Sequence, residues 1–183
     1  YHIRAVNGKG EGGSSDTVAA SAKPFASDDE FLDYIQGTAF DFFWYESDSS
    51  TGLIRDRSEP LAASSVASVG FGLTAFPVGV ERGWLTRAEA AQRTLKILRT
   101  LWSTPQGPSA SGVSGFNGWY YHFLDMSSGL RTWDSELSSI DTGLLMAGVV
   151  FAQEYYTGPD TVETQIRTLA GALFDRIDWG WMT

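Results

Sequence analysis

Hydrophobic positions follow two different patterns along this chain, and the patterns alternate. In three stretches the apolar residues keep to one side of a helix and charged residues fill the other, which is typical of an amphipathic helix. Between them lie two stretches with almost no charge, which predicts helices buried on all sides. The five helices are predicted, in chain order, at residues 27–45, 62–76, 86–102, from 138 or 139 onwards, and from 160 to about 177.

The connections between these helices alternate as well. Long polar loops follow the first and third helices, whereas short turns follow the second and fourth. With antiparallel neighbours, both long loops lie at one end, over the N-termini of the two charge-free helices. This is the pattern of an all-α, double-layered (α/α)6 toroid, in which inner helices line the axis and outer helices surround them. Toroids of this kind usually hold six inner and six outer helices, so the five visible here predict roughly the first half of one.

Local signals set the expected ends of the helices. Ser27 with Glu30, and Thr86 with Glu89, have the spacing of a capping box. Pro77 is expected to bend or end the second helix. In the second long loop, residues 119–124 are expected to pair with 130–133 as a hairpin. The first helix is expected to bury one stripe, formed by Phe31, Tyr34, Ile35, Ala39 and Phe42.

Residues 1–24 differ in composition from the rest and predict a β-hairpin. Residues 1–6 alternate apolar and polar side chains, 7–13 form a Gly-rich turn, and 17–20 read as a returning strand. This segment resembles the last hairpin of a fibronectin type III domain, in which Tyr1 would make the corner hydrogen bond. A Gly-rich linker is the alternative. The expected domains are therefore 1–24, the end of a preceding domain, and 25–183, the helical domain.

Charge and composition narrow the classes of partner. The net charge of −9 argues against nucleic acid and anionic membranes, which need clustered Lys and Arg. No stretch is apolar enough for a convincing membrane span. The absence of Cys excludes disulfides and thiolate metal sites, and it fits an exported bacterial protein, so a secreted, periplasmic or cell-surface location is expected. Seven Trp residues suit a core, a carbohydrate platform, or both.

Six blocks of residues carry a resemblance to a known family. They are Phe43-Trp-x-Glu46, Gly52-Leu-Ile-Arg-Asp-Arg57, Ser68-Val-Gly-Phe-Gly-Leu-Thr74, Gly79-Val-Glu-Arg-Gly-Trp84, Tyr121-His-Phe-Leu-Asp125 and Ser135-Glu-Leu-Ser-Ser-Ile-Asp-Thr142. Together they resemble the glucoamylase-like domain of bacterial proteins, a family that includes β-1,2-glucan hydrolases and a domain of cyclic β-1,2-glucan synthases. The resemblance covers residues 28–182 and implies an (α/α)6 toroid that acts on glucans. The family's later blocks are absent, so any acid or base located there has no counterpart in this chain.

Three carboxylates are the candidate catalytic residues. Glycoside hydrolysis needs one protonated and one ionised carboxyl group across the sugar. Glu136, beside Trp133 and Leu137, is the best general acid, because apolar neighbours favour its protonated form. Asp141 at a helix N-terminus should stay ionised, as should Asp56 between two Arg residues; both suit water activation or hydroxyl binding. The alternatives are that Asp141 only decorates the first turn of its helix and that Asp56 makes a structural ion pair.

The remaining candidates are assigned to substrate binding. His122 could orient a sugar or a carboxylate, although a lone His in a hairpin is more often structural. For Asp134 a loop hydrogen-bond acceptor is the favoured interpretation, and each aromatic candidate has a core-packing alternative. No metal-ligand spacing stands out, and no cofactor is expected. The substrate-binding set is Arg55, Arg57, Trp44, Tyr120, His122, Trp133 and Asp134.

The sequence and its family resemblance therefore predict a glycoside hydrolase whose partner is an oligo- or polysaccharide, with a bacterial β-glucan such as β-1,2-glucan as the expected substrate. A non-catalytic glycan-binding or scaffold module is the alternative. Half a toroid would also leave one flank of its charge-free helices uncovered. Self-association, or pairing with the other half, is expected to cover that flank through close contacts at Gly70, Gly72, Leu73, Gly143, Leu144 and Ala147.

Overall fold

The computed structural model describes residues 4–17, 19 and 24–182, and it divides the chain into two compact units, Tyr1–Gln36 and Gly37–Thr183. In the first unit, β1 (Arg4–Asn7) pairs antiparallel with β2 (Gly10–Ser14) across a two-residue turn. The predicted hairpin exists, but its return strand begins inside the stretch expected to be the turn. The Asn7 side chain accepts a hydrogen bond from the Lys9 amide at 2.8 Å, which closes the chain early. Tyr1, the predicted corner residue, lies outside the described residues.

Five helices are present among the described residues, so the protein is mostly helical, as expected. They are α1 (Asp28–Tyr45), α2 (Val66–Glu81), α3 (Arg87–Ser103), α4 (Ser139–Tyr155) and α5 (Thr161–Asp175). The capping box of Thr86 and Glu89 is complete, and Ser138 and Asp160 cap α4 and α5. Helix α2 starts and ends later than predicted and continues through Pro77. No helix in the described ranges has the length and apolar character needed to cross a membrane.

The stripe predicted for α1 is wrong. Phe31, Tyr34 and Ile35 are between 45% and 59% exposed, and Phe40 is the buried residue of the helix. In the second unit Phe40 stacks on Trp44 and packs against Trp84, so the apolar ridge that packs lies one residue away from the predicted one. The dense apolar composition of this helix allows more than one stripe, and periodicity alone selected the wrong one.

Helices α2 and α4 pack closely because glycines leave room for backbone contact. A Cβ atom at Gly148 would overlap the backbone of Gly70, and one at Gly70 would lie 2.7 Å from Cα of Leu145. Gly70, Gly72 and Leu73 are therefore buried inside the unit, not available on an outer flank as predicted.

The expectation that α4 is buried on all sides is also wrong. Its core side is formed by Leu145, Met146, Val149 and Ala152, whereas its opposite side is exposed. Helix α3 packs on α5, and α4 packs on α2 and α5, so the described residues cover only part of the α4 surface. The exposed side is apolar and consists of Ile140, Gly143, Leu144, Ala147, Val150 and Phe151.

The two long loops meet through short strands. Strand β3 (Ser64–Ser65), in the first loop, pairs antiparallel with β6 (Phe123–Leu124) in the second. Strand β4 (Gly115–Phe116) pairs with β5 (Trp119–Tyr120). The predicted hairpin between 119–124 and 130–133 is reduced to one bridge, Leu124 to Arg131. The pairing of β3 with β6 confirms that both long loops lie at the same end of the helices.

Candidate active site

A carboxylate and an imidazole form the centre of the candidate site. Asp141 lies in the first turn of α4, where its amide donates to the Ser138 side chain at 3.0 Å. Its Oδ2 is 2.6 Å from Nδ1 of His122, in the loop between β5 and β6. Because a carboxylate can only accept, this contact places the proton of a neutral imidazole on Nδ1. The free Nε2 then faces away from the helix.

Glu136 lies on the other side of the same imidazole. Its Oε1 is 4.0 Å from Nε2 of His122, and its backbone carbonyl accepts a hydrogen bond from the His122 amide at 3.0 Å. A separation of 4.0 Å is too long for a hydrogen bond, so Glu136 can turn towards a ligand. Its side chain is 80% exposed, and the apolar environment predicted for it is therefore absent. The structure thus brings together Asp141, His122 and Glu136, three of the predicted site residues.

Trp133 presents an aromatic surface beside this group. Its side chain is 58% exposed, and its ring packs against Phe123, the neighbour of His122 in sequence. The backbone of Trp133 has a positive φ of 53°, which is rare for a bulky residue and often marks a functional loop. Arg131 donates from Nε to the Ser135 carbonyl at 2.7 Å and so closes this turn. Asp134, in the same turn, is exposed.

A cavity of about 230 Å³ opens next to Trp133 and involves both long loops. Asp125 stabilises the turn at one side of this cavity, because its Oδ1 accepts hydrogen bonds from the side chains and amides of Ser127 and Ser128. Those hydrogen bonds, with that from the Ser127 side chain contributing most, lower the pKa of Asp125. The cavity is lined by Arg55, Pro60, Leu61, Ala62, Ala63, Asp125, Met126, Thr132 and Trp133.

The first long loop contributes less to the site than predicted. Asp56 is 3.5 Å from Arg57, and its amide donates to the Ala63 carbonyl. No described contact joins Asp56 to His122, Glu136 or Asp141, so the geometry matches the alternative of an ion pair. Arg57 also pairs with Glu59 at 3.0 Å. Arg55 pairs with Glu46 at 3.2 Å and donates to loop carbonyls, although it still lines the cavity.

Two aromatic predictions need correction. Tyr120 is fully buried, and its hydroxyl donates to the Leu101 carbonyl at 3.0 Å and contacts Arg176. Burial, partly offset by Arg176, raises its pKa to about 12, and no ring face remains for a sugar. Trp44 packs on Phe76, and the Arg93 guanidinium lies 4.3 Å from its ring centroid. Its described contacts do not include the His122 group.

From the sequence, a structural role was the commoner interpretation of His122, and Phe123 and Asp125 received no role in the site. All three belong to the block Tyr121–Asp125, and its place among the six blocks that carry the family resemblance could have marked it as part of the site. Within the described ranges, no group of three or more His, Asp or Glu residues is arranged to hold a metal ion.

Solved structures that superpose on this chain include proteins named as glucoamylases and β-1,2-glucanases. A candidate glucoamylase from Bacteroides uniformis superposes with a TM-score of 0.76 and 28% identity, covering 86% of this chain and 38% of that one. The chain therefore shares the fold of bacterial glucoamylase-like (α/α)6 proteins over a portion of their length, which confirms the resemblance seen in the sequence. No protein-family profile matches the sequence.

Two relatives from one organism are named for their action on β-1,2-linked glucans. The exo β-1,2-glucooligosaccharide sophorohydrolase (non-reducing end) of Parabacteroides distasonis is 29% identical over 99% of this chain and 25% of its own length. The crystal structure of a β-1,2-glucanase from Parabacteroides distasonis superposes with a TM-score of 0.75 and 29% identity, covering 98% of this chain and 25% of that one. The chain thus spans about a quarter of the curated relative it matches.

Proposed function

We propose that this chain forms part of a glycoside hydrolase that cleaves a β-glucan, with β-1,2-glucan as its substrate class. The observation that carries the proposal is the group of Asp141, His122 and Glu136 at the loop-bearing end of the helices, beside exposed Trp133. The names of the relatives from Parabacteroides distasonis support the choice of β-1,2-glucan. In this proposal the five helices are a portion of an (α/α)6 toroid, and the protein is exported to reach its polymer.

Glu136 is the residue that exchanges a proton with the substrate. As an acid it donates a proton to the glycosidic oxygen, and the bond between the anomeric carbon and that oxygen breaks. A water molecule supplies the new hydroxyl group at the anomeric carbon and releases its other proton to solvent, from which Glu136 is protonated again. Glu136 suits this role because its carboxyl group is exposed and 4.0 Å from a polar ring, so it can approach a bound sugar.

Asp141 and His122 act on Glu136 by position: Asp141 orients the His122 ring, and that ring lies beside the Glu136 carboxyl group. The hydrogen bond to Asp141 fixes the orientation and tautomer of the His122 ring, which leaves Nε2 as an acceptor towards Glu136. Asp141 is therefore a positioning residue in this proposal, and the water-activating role predicted for it is assigned to no described residue.

Sugar recognition is assigned to the surface beside this group. The exposed ring of Trp133 can stack on the C–H face of a pyranose. Arg55 and Asp125 line the neighbouring cavity and can bind hydroxyl groups as donor and acceptor. The cavity of about 230 Å³ has room for about one sugar unit next to Trp133.

A glycan-binding or scaffold module is the second candidate. It is favoured by the same open geometry, because Glu136 is 80% exposed and the described residues place no second free carboxylate opposite it. Such a module would use Trp133 and the cavity for binding without bond cleavage.

Incubation of the protein with linear β-1,2-, β-1,3- and β-1,4-glucans separates the two functions. The hydrolase proposal expects reducing ends to appear from β-1,2-glucan at a rate well above that from the other two polymers. Retention of β-1,2-glucan without release of reducing ends from any polymer would favour the binding module.

A further inference from the structure

A second cleft lies on the outer side of the helical unit, between the C-terminal half of α1 and the turn that follows α2. Its volume is about 340 Å³, and it shares no lining residue with the cavity beside Trp133. Residues spaced by three and four along α1 form one wall, and a tryptophan from the turn forms the other. The lining consists of Gly37, Phe40, Asp41, Trp44, Tyr45 and Trp84.

The aromatic rings of this cleft pack on buried Phe40 at its base, and two of them remain exposed to solvent. Phe40 is only 7% exposed, and its ring packs on Trp84 with centroids 5.2 Å apart. The Trp84 amide donates to the Gly79 carbonyl at 2.8 Å, which fixes the turn. Above this base, Trp84 is 38% exposed and Tyr45 is 75% exposed. A Cβ atom at Gly37 would lie 3.8 Å from the Trp84 ring, in ordinary van der Waals contact.

A polar group completes the cleft. Asp41 is exposed one helical turn before Tyr45, and no described residue makes an ion pair or hydrogen bond with its side chain. A carboxylate that lines the same cleft as two exposed aromatic rings combines stacking surfaces with a hydrogen-bond acceptor. Pyranose sugars require both features, because one ring face carries C–H groups and the rim carries hydroxyl donors.

The charged residues at this cleft favour a neutral ligand over an anion. Asp41 and the net charge of −9 disfavour an anion. Trp44 offers no free ring face to an organic cation, because the Arg93 guanidinium lies 4.3 Å from its centroid and Phe40 stacks on it. Tyr45 and Trp84 keep exposed rings, so competition between a cation and a sugar is part of the test below. A neutral ligand has no repulsion from Arg93 to overcome.

We propose that this cleft is a second carbohydrate-binding site, which takes one pyranose unit of a glucan through Tyr45, Trp84 and Asp41. The site binds polymer and makes no contribution to bond cleavage. It rests on the proposed function only for the choice of β-1,2-glucan as the first probe.

Affinity electrophoresis in gels that contain β-1,2-, β-1,3- or β-1,4-glucan tests the proposal. Tyr45→Ala removes one stacking surface, and Asp41→Ala removes the acceptor group. Both residues are exposed, so the fold should be kept, which circular dichroism checks. Phe71→Ala is the matched control, because Phe71 is 52% exposed on α2 and does not line the cleft. Each cleft variant should weaken retardation by the retaining glucan about tenfold, the loss of one good contact, while Phe71→Ala should migrate like the parent protein.

The outcomes are distinguishable from those of the proposed function. Retardation that persists in both cleft variants, or a parent protein that none of the three glucans retards, would overturn the second site. Competition by tetramethylammonium but not by glucose would also overturn it, in favour of a cation site. Loss of hydrolysis of short oligosaccharides in Tyr45→Ala would show that the cleft belongs to the catalytic machinery. Absence of hydrolysis in the parent protein, with retardation lost in the cleft variants, would leave the second site standing and remove the proposed hydrolase.

Discussion

His122 and Asp141 are joined by a contact of 2.6 Å between Nδ1 and Oδ2. The contact links the loop before β6 to the first turn of α4, and it decides which ring nitrogen of His122 faces Glu136. The His122 side chain is 31% exposed and that of Asp141 is 19% exposed, so solvent competes only weakly with this hydrogen bond.

Replacement of Asp141 by Ala should release the His122 ring. We expect the Nδ1–H tautomer to dominate in the parent protein and to give way to a mixture in Asp141→Ala, because the acceptor is gone. Nitrogen-15 chemical shifts of the imidazole measure this directly, and the chain has only two His residues to assign. Turnover of β-1,2-glucan should fall by about 10²-fold or more, with substrate affinity largely kept.

The melting temperature of Asp141→Ala shows whether the substitution changes the fold in addition to the His122 tautomer. Ser138 caps α4 without help from the Asp141 side chain, so the melting temperature should change little. An unchanged tautomer ratio in Asp141→Ala would show that Asp141 does not position His122.

The close contact between Gly70 and Gly148 predicts how substitutions at Gly148 change the free energy of unfolding. A methyl group at Gly148 would overlap the backbone of Gly70, so Gly148→Ala should destabilise the protein by about 1–3 kcal/mol through overpacking. Gly143 is the matched control on the same helix, because it is exposed and nothing lies within 4 Å of an added Cβ. Gly143→Ala should be stabilising by up to about 1 kcal/mol, the gain in helix propensity. Equal effects of the two variants in denaturant unfolding would contradict the close α2–α4 packing.

The sequence predicted where the helices begin better than it predicted which helix faces are buried. Capping residues such as Thr86 and Asp160 act within one turn of chain, so local sequence is enough to locate a helix start. The faces of α1 and α4 depend on which neighbouring elements cover them, and apolar residues such as Phe31 and Leu144 carry no information about that. The site was only half predictable for the same reason. Asp141 and Glu136 are close in sequence, whereas His122 reaches them through backbone pairing within the second long loop.

The ion pair of Arg87 and Glu163 should make stability depend on pH. Glu163 accepts from Nε and Nη2 of Arg87 at 2.6 and 2.9 Å, and its side chain is 6% exposed. The hydrogen bond from Arg87 lowers the pKa of Glu163, against the opposing effect of burial. A carboxyl group with a lowered folded-state pKa stabilises the fold above its unfolded value, near 4.3, and this stability is lost as the pH falls further.

Glu163→Gln should therefore destabilise the protein at pH 7 by roughly 2 kcal/mol, less than for a fully buried pair because the Arg87 side chain is 40% exposed. The difference from the parent protein should narrow below about pH 4. Urea unfolding at pH 7 and pH 3 measures both values, with Glu154→Gln, an exposed position on α4, as the control. A gap between variant and parent that stays constant with pH would contradict an ionised, paired Glu163.

The most direct test of the central claim is the release of reducing ends from β-1,2-glucan by Glu136→Gln. The substitution keeps the shape of the side chain and removes its acid, and Glu154→Gln serves as the control for loss of one exposed carboxylate. The account predicts that Glu136→Gln loses turnover by about 10²- to 10⁴-fold while it binds β-1,2-gluco-oligosaccharides as tightly as the parent protein, and that Glu154→Gln keeps full activity. Turnover in Glu136→Gln equal to that of an active parent protein would contradict the assignment of Glu136 as the catalytic acid.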